Sequence, residues 1–208
     1  MDAQQHWEGI YAKNSPEQCS WFRQHLERSL ALIERAAPDK TSPILDVGAG
    51  ASTLVDDLLA RGYRNLTVLD ISQAALHLSR MRLGAAATPV RWICADMLTA
   101  ALPAQAYALW HDRAVFHFLT EPQSRRIYRQ QLLHAMQAGG QVILSTFGPQ
   151  GPMKCSGLDA VRYDAASLTA ELGQQFRLEE SMLEDHCTPS GKTQQFLTAR
   201  FSLVKTPF

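Results

Sequence analysis

Hydrophobic positions along this chain follow three successive rhythms. Between residues 43 and 147, apolar runs near 43–47, 66–70, 90–94, 106–111 and 141–147 alternate with stretches near 52–61, 73–83, 114–118 and 124–137. In the stretches between, apolar residues recur at helical spacing. Short strands alternating with helices predict an α/β fold with a doubly wound, mostly parallel sheet. Ahead of this block, residues 3–12 read as a helix with Trp7 and Tyr11 four apart on one face, ended by Asn14-Ser15-Pro16. Phe22, Leu26, Leu30 and Ile33 then predict a helix over about 21–36. After the block come a helix near 165–173 and two β-like runs, 176–187 and 194–204, joined by Thr188-Pro189-Ser190-Gly191-Lys192. That spacing predicts an antiparallel hairpin. The Gly/Pro-rich segment 147–163 is a long connection, and such loops in compact domains are often functional.

The most informative stretch is Ile44-Leu45-Asp46-Val47-Gly48-Ala49-Gly50-Ala51-Ser52-Thr53, followed by Val68-Leu69-Asp70. A strand runs into Gly-x-Gly, a helix follows, and a second strand ends in a carboxylate 20 residues after Gly50. A nucleoside-binding βαβ unit requires this: glycines turn the chain and admit a ligand to the backbone, and the acid accepts from ribose hydroxyls. The dinucleotide version has a third glycine near position 53, where this chain has Thr53. The pattern therefore argues for a ligand with ribose and no phosphate, a description that S-adenosylmethionine fits.

Composition narrows the partners. Lys plus Arg and Asp plus Glu are both 20, so a large nucleic-acid partner has little electrostatic support. No apolar run approaches the roughly 18–20 residues needed to cross a bilayer, and the N-terminus has no leader pattern, so a soluble cytoplasmic protein is expected. Cys19, Cys94, Cys155 and Cys187 form no C-x-x-C pair, and no metal site is expected.

Over roughly residues 40–147 the chain resembles class I S-adenosylmethionine-dependent methyltransferases. Asp46-x-Gly48-x-Gly50 is similar to the family's first motif, Asp70 to its ribose acid and Ala95-Asp96-Met97 to the acid near the adenine. His6-Trp7-Glu8-x-x-Tyr11 with Ser20-Trp21-Phe22 resembles a subset that includes thiopurine methyltransferase-like and some protein-lysine methyltransferases. In that subset an N-terminal helical segment folds over the cofactor. The resemblance implies a seven-stranded, mostly parallel Rossmann-like sheet closed by the C-terminal hairpin. It also implies one domain, 1–208, with 1–37 as a helical cap.

The candidate cofactor residues are Trp7, Tyr11, Trp21, Asp46, Gly48, Gly50, Asp70, Ile71, Asp96 and Met97. Asp46 either orients the loop or meets the cofactor's ammonium. Asp96 either caps a helix or contacts the adenine amino group, and Ile71 and Met97 either pack on the adenine or belong to the core. Trp7, Tyr11 and Trp21 are either packing aromatics or faces that attract a sulfonium. His111 and Asp112 end the fourth strand, where a doubly wound sheet presents its ligand, and are the candidate catalytic pair. His111 would serve as general base if the acceptor is protonated, or would hydrogen-bond to backbone; His117, on an apolar face, reads as a core histidine.

Arg113, Phe147, Cys155, Arg162 and His186 are the candidate acceptor contacts; a structural lid is the alternative for that loop. The expected reaction is methyl transfer to a heteroatom of a small molecule, with protein lysine second. A nicotinamide oxidoreductase and a catalytically silent cofactor-binding module are the rivals from other classes.

Overall fold

The computed structural model describes residues 2–204; Met1 and residues 205–208, counted within the expected single domain and its cap, lie outside. Helix α1 (Ala3–Lys13) is capped by Asp2, whose side chain accepts from Gln4 N–H, and is followed by α2 (Glu27–Ala36). Strands and helices then alternate: β1 (Ile44–Val47), α3 (Leu54–Ala60), β2 (Leu66–Asp70), α4 (Gln73–Leu83), β3 (Arg91–Cys94), β4 (Tyr107–Arg113), α5 (Pro122–Ala135) and β5 (Met136–Phe147). A two-residue pair, β6 (Lys154–Cys155) and β7 (Leu158–Asp159), precedes α6 (Ala165–Leu172), β8 (Phe176–Cys187) and β9 (Thr193–Leu203).

The seven-stranded sheet has the order β3-β2-β1-β4-β5-β9-β8, with β1 to β5 parallel and β9 antiparallel to both neighbours. This is the expected doubly wound sheet with its closing hairpin. Helices cover both faces, which is why β1 and β2 are buried along their whole length. Alternation along each strand divides the core in two. Leu45, Val47, Trp110, Val142 and Leu144 pack with α5 and α6. Ile44, Leu66, Val68, Leu109 and Ile143 pack with α2 and α3 on the other face.

Three expected elements differ. The helix predicted from residue 21 begins only at Glu27. Residues 21–26 run irregularly instead, with the Trp21 carbonyl accepting from Arg113 Nη1 at 3.0 Å. A tertiary bond overrides local helical spacing there. The helix expected near 114–118 is a 3-10 turn over Phe116–Phe118, preceded by Ala114 at φ +73°. Segment 147–163 contains the β6–β7 hairpin, turned by Ser156 and Gly157, both at positive φ.

Candidate active site

The carboxyl ends of β1, β2 and β4 open onto one cavity, where the strand order reverses. Gly48 and Gly50 take φ +61° and +56° in the turn after β1, and Asp70 at the end of β2 secures that turn. Its Oδ2 accepts from Gly50 N–H at 2.7 Å and its Oδ1 from Ser72 N–H at 2.8 Å. Each carboxylate oxygen has two lone pairs, so Asp70 can still accept from two hydroxyls on the cavity side. Burial, partly countered by those N–H donors, pushes its pKa up to about 6.

That value has a pH consequence. If Asp70 accepts from ribose hydroxyls, it must be ionised to do so, and S-adenosylhomocysteine affinity should then fall as pH drops through about 6, by about tenfold between pH 7.5 and 5. Calorimetry at both pH values checks this, and a flat profile would remove Asp70 from the ribose. Acid unfolding through this group does not mimic the effect. Its folded pKa lies above the ordinary aspartate value of 3.8, so the folded state binds more protons. Stability from Asp70 therefore falls as pH rises through that window and is greatest below it.

Asp46 and His111 are cross-strand neighbours in the β1–β4 register. His111 Nδ1 lies 2.7 Å from Asp46 Oδ1, and Nε2 lies 2.9 Å from the Ser29 hydroxyl of α2. With Asp46 ionised, Nδ1 donates, and Ser29 completes the chain. His111 reaches the cavity wall, but both ring nitrogens already have partners. The structure thus gives it a side-chain tether rather than the backbone bond that was the alternative to general base.

Asp112 does not line the cavity. Strand alternation turns it to the opposite face from His111, where it is fully buried. Its Oδ2 accepts from the Tyr128 hydroxyl at 2.5 Å, which accepts in turn from Trp110 Nε1 at 2.9 Å. Its Oδ1 accepts from Val115 N–H at 3.0 Å. Asp112 therefore fastens the turn that carries Ala114 and Val115 into the cavity wall, and does not itself face the cavity.

Three of the candidate acceptor contacts also lie off the cavity. Phe147 is buried against His117, with ring centroids 4.2 Å apart. Arg162 bridges to the backbone of Phe147 outside the lining. His186 sits behind the mouth, accepting from Arg23 Nε at 3.1 Å, with its Nε2 2.8 Å from the Ser20 carbonyl. Gly50 faces the cap instead of the cavity: a Cβ there would lie 2.2 Å from the Tyr11 hydroxyl. His117 is fully buried and neutral, its pKa lowered to about 3 by burial, as expected of a core histidine.

The remaining candidates meet. Trp7 and Tyr11 of α1 line the cavity with Trp21, Asp46, Gly48, Asp70, Ile71, Asp96, Met97, His111, Arg113 and Cys155. Trp7 packs edge-on against Trp21 and Phe118, with centroids 5.6 and 5.2 Å apart. Glu8, quoted in the N-terminal motif but given no role by sequence reasoning, holds the cap down. Its carboxylate accepts from the Ser72 hydroxyl at 2.7 Å and from Ala74 N–H at 3.1 Å, at the start of α4. Asp96 Oδ1 accepts from Leu98 N–H at 2.8 Å, and no described residue bonds its Oδ2. Ser29, Tyr128, Arg23 and Cys19 are further site residues with no motif to mark them, since each reaches the site from an element distant in sequence.

The cavity measures about 490 Å³, within the range of small-molecule sites. Its donors and acceptors suit S-adenosylmethionine: carboxylates at the ends of β1 and β2 and after β3, an aromatic cap for a cation, and a shut-in His6 Nε2 without a partner. Among the described residues no group of three or more His, Cys, Asp or Glu could hold a metal ion, and no helix is long and apolar enough to cross a membrane.

Residues 44–140 match the family model of a methyltransferase domain. Over that stretch the chain is similar to methyltransferase domains. The chain is 24% identical over 145 residues to an eEF1A lysine and N-terminal methyltransferase homolog of Drosophila melanogaster, covering 66% of this chain and 21% of that protein. It spans about half the length, 56%, of other curated relatives it matches. Its fold is similar to that of N-methyltransferase NodS from Bradyrhizobium japonicum, solved with S-adenosylhomocysteine. There the TM-score is 0.73 at 17% identity, covering 98% of this chain and 99% of that one. A structure solved in connection with the conversion of a disulfide bond into a thioacetal group during echinomycin biosynthesis superposes with TM-score 0.78 at 17% identity. That match covers 98% of this chain and 93% of the other.

Proposed function

We propose that this protein is a cytoplasmic enzyme that transfers the methyl group of S-adenosylmethionine to a heteroatom of a small-molecule acceptor. The observation that carries this reading is the cavity, roofed by α1 and about 490 Å³ in volume. Once a nucleoside and an amino-acid arm are seated, the space left suits a small acceptor. When bound, S-adenosylmethionine supplies an electrophilic sulfonium methyl, and S-adenosylhomocysteine remains after an acceptor lone pair takes the carbon and the carbon–sulfur pair returns to sulfur.

The chain's own residues then align and enclose. Asp70 accepts from the ribose hydroxyls, Asp96 from the adenine amino group, and Asp46 faces the ammonium. Ile71 and Met97 pack on the adenine. Trp7, Tyr11 and Trp21 exclude water and present aromatic faces to the sulfonium. Alignment of the two reactants accounts for most of the rate such a site can supply. With both ring nitrogens of His111 engaged, the arrangement favours an acceptor atom that carries a free lone pair at neutral pH and needs no proton removed.

A protein lysine is the second reading, supported by the similarity to the Drosophila eEF1A lysine and N-terminal methyltransferase homolog. Incubating the protein with methyl-labelled S-adenosylmethionine and a cell extract split by size separates the two. Label in the small-molecule fraction is the expected result, and label confined to a protein band would overturn it.

A further inference from the structure

The cavity is divided by charge along the sheet. Asp70, Asp46 and Asp96 stand at the ends of β2 and β1 and after β3, the half on which the cofactor reading rests. Arg113, at the end of β4, stands on the other half with Cys19, Cys155 and Phe118. Arg113 is inward-facing and poorly compensated. Nη1 donates to the Trp21 carbonyl at 3.0 Å, and the guanidinium lies over the Phe196 ring, 4.8 Å from its centroid. Nη2 is shut from solvent with no partner. Among the described residues, no carboxylate lies within ion-pair distance of Arg113. Glu184, the acid whose charge acts on it, already meets Arg23 at 3.8 Å and Arg28 at 3.9 Å.

The surrounding groups do not supply the missing charge. Asp159, also in the wall, pairs with Lys154 at 3.0 Å. Burial raises the pKa of both thiols, Cys19 to about 11 and Cys155 in the same direction, so both stay neutral at physiological pH. Burial lowers the Arg113 pKa only to about 10, so the guanidinium stays charged. A buried, unpaired cation is costly to the folded protein unless a ligand brings the counter-charge. A guanidinium with free N–H donors recognises carboxylates and similar anions in bidentate fashion.

Resting on the methyltransferase reading, we propose that the acceptor is a small anion held by Arg113. Neutral thiols and the Phe118 ring beside it make the rest of this wall soft and weakly polar. The cofactor's own carboxylate has the same chemistry and is the competing source of negative charge, and the test separates the two.

The experiment passes the small-molecule pool of a cell extract over an anion-exchange resin at pH 8. Retained and unretained fractions are then incubated separately with the full-length protein and methyl-labelled S-adenosylmethionine. Label is expected from the retained fraction, falling at least tenfold with Arg113→Met through a raised KM and partly restored in Arg113→Lys. S-adenosylhomocysteine affinity, measured by calorimetry, should stay within twofold for both variants. A tenfold loss of that affinity in Arg113→Met would assign the guanidinium to the cofactor carboxylate and overturn the proposal. Label only from the unretained fraction, no label from the retained one, or label indifferent to Arg113→Met would also overturn it while leaving the cofactor reading standing. Failure of the parent protein to bind S-adenosylhomocysteine would instead overturn the methyltransferase reading, and this proposal with it.

Discussion

Asp70→Ala is expected to weaken S-adenosylhomocysteine binding by about 30-fold or more, equivalent to about 2 kcal/mol, and to lower the melting temperature. Two losses combine. On the cavity side, the ribose hydroxyls lose a charged acceptor. On the protein side, the amides of Gly50 and Ser72 lose the oxygens they meet at 2.7 and 2.8 Å. Leaving buried donors unsatisfied costs about 1–3 kcal/mol each. Relief of the desolvated charge, whose pKa burial has already raised to about 6, offsets part of that cost. A fall of about 5 °C is the expected net result for a chain of this length. Binding should be measured well below the variant's midpoint. Unchanged affinity with a lowered midpoint would reduce Asp70 to a brace for the glycine turn.

Gly48→Ala is expected to be at least as damaging. The backbone at φ +61° sits in the left-handed region, which costs a non-glycine residue about 1–2 kcal/mol. An added Cβ would also lie 1.9 Å from Val115 Cγ2, and overpacking of this kind costs about 1–3 kcal/mol. Because Val115 hangs from the turn that Asp112 fastens, the strain passes from the β1 side of the cavity to the β4 side. Pairing Gly48→Ala with Val115→Ala separates the terms: the double variant should recover the steric part of the stability loss and keep the dihedral part. Equal instability of single and double variants would show that contact with Val115 is irrelevant.

The fold was legible because its signals are local. Strand and helix periods in 43–147 and the turn residues between the last two strands specify the sheet without reference to distant contacts. The meeting of Gly48 and Asp70 at one end of the cavity was legible for the same reason, since both belong to one βαβ unit; Gly50, in the same unit, turned to the cap instead. The acceptor side was not. His111 and Asp112 read as a pair because they are adjacent, yet strand alternation sends them to opposite faces, one to Asp46 and Ser29, the other to Tyr128. Phe22 and Leu26 carry helical spacing, but residues 21–26 are drawn out of the helix as the wall forms around Arg113. His186 lies close to the hairpin tip, as read, but turns to Arg23 and Ser20 behind the mouth. No pattern within either segment announces such a meeting.

The two halves of the cavity also differ in how far the chain must travel to close them. Gly50 meets Asp70 across 20 positions, whereas Trp21 meets Arg113 across 92, Ser20 meets Cys155 across 135 and Arg23 meets His186 across 163. The entropy of loop closure is therefore smaller for the Gly50–Asp70 side than for the wall opposite. The matched region, 44–140, contains the nucleoside side, while Cys19, Trp21, Arg23 and Cys155 lie beyond its ends. Exchange of the segments before residue 44 and after residue 140 would thus remodel the wall opposite Asp70 and the α1 roof, while leaving the Gly48–Asp70 turn as it stands.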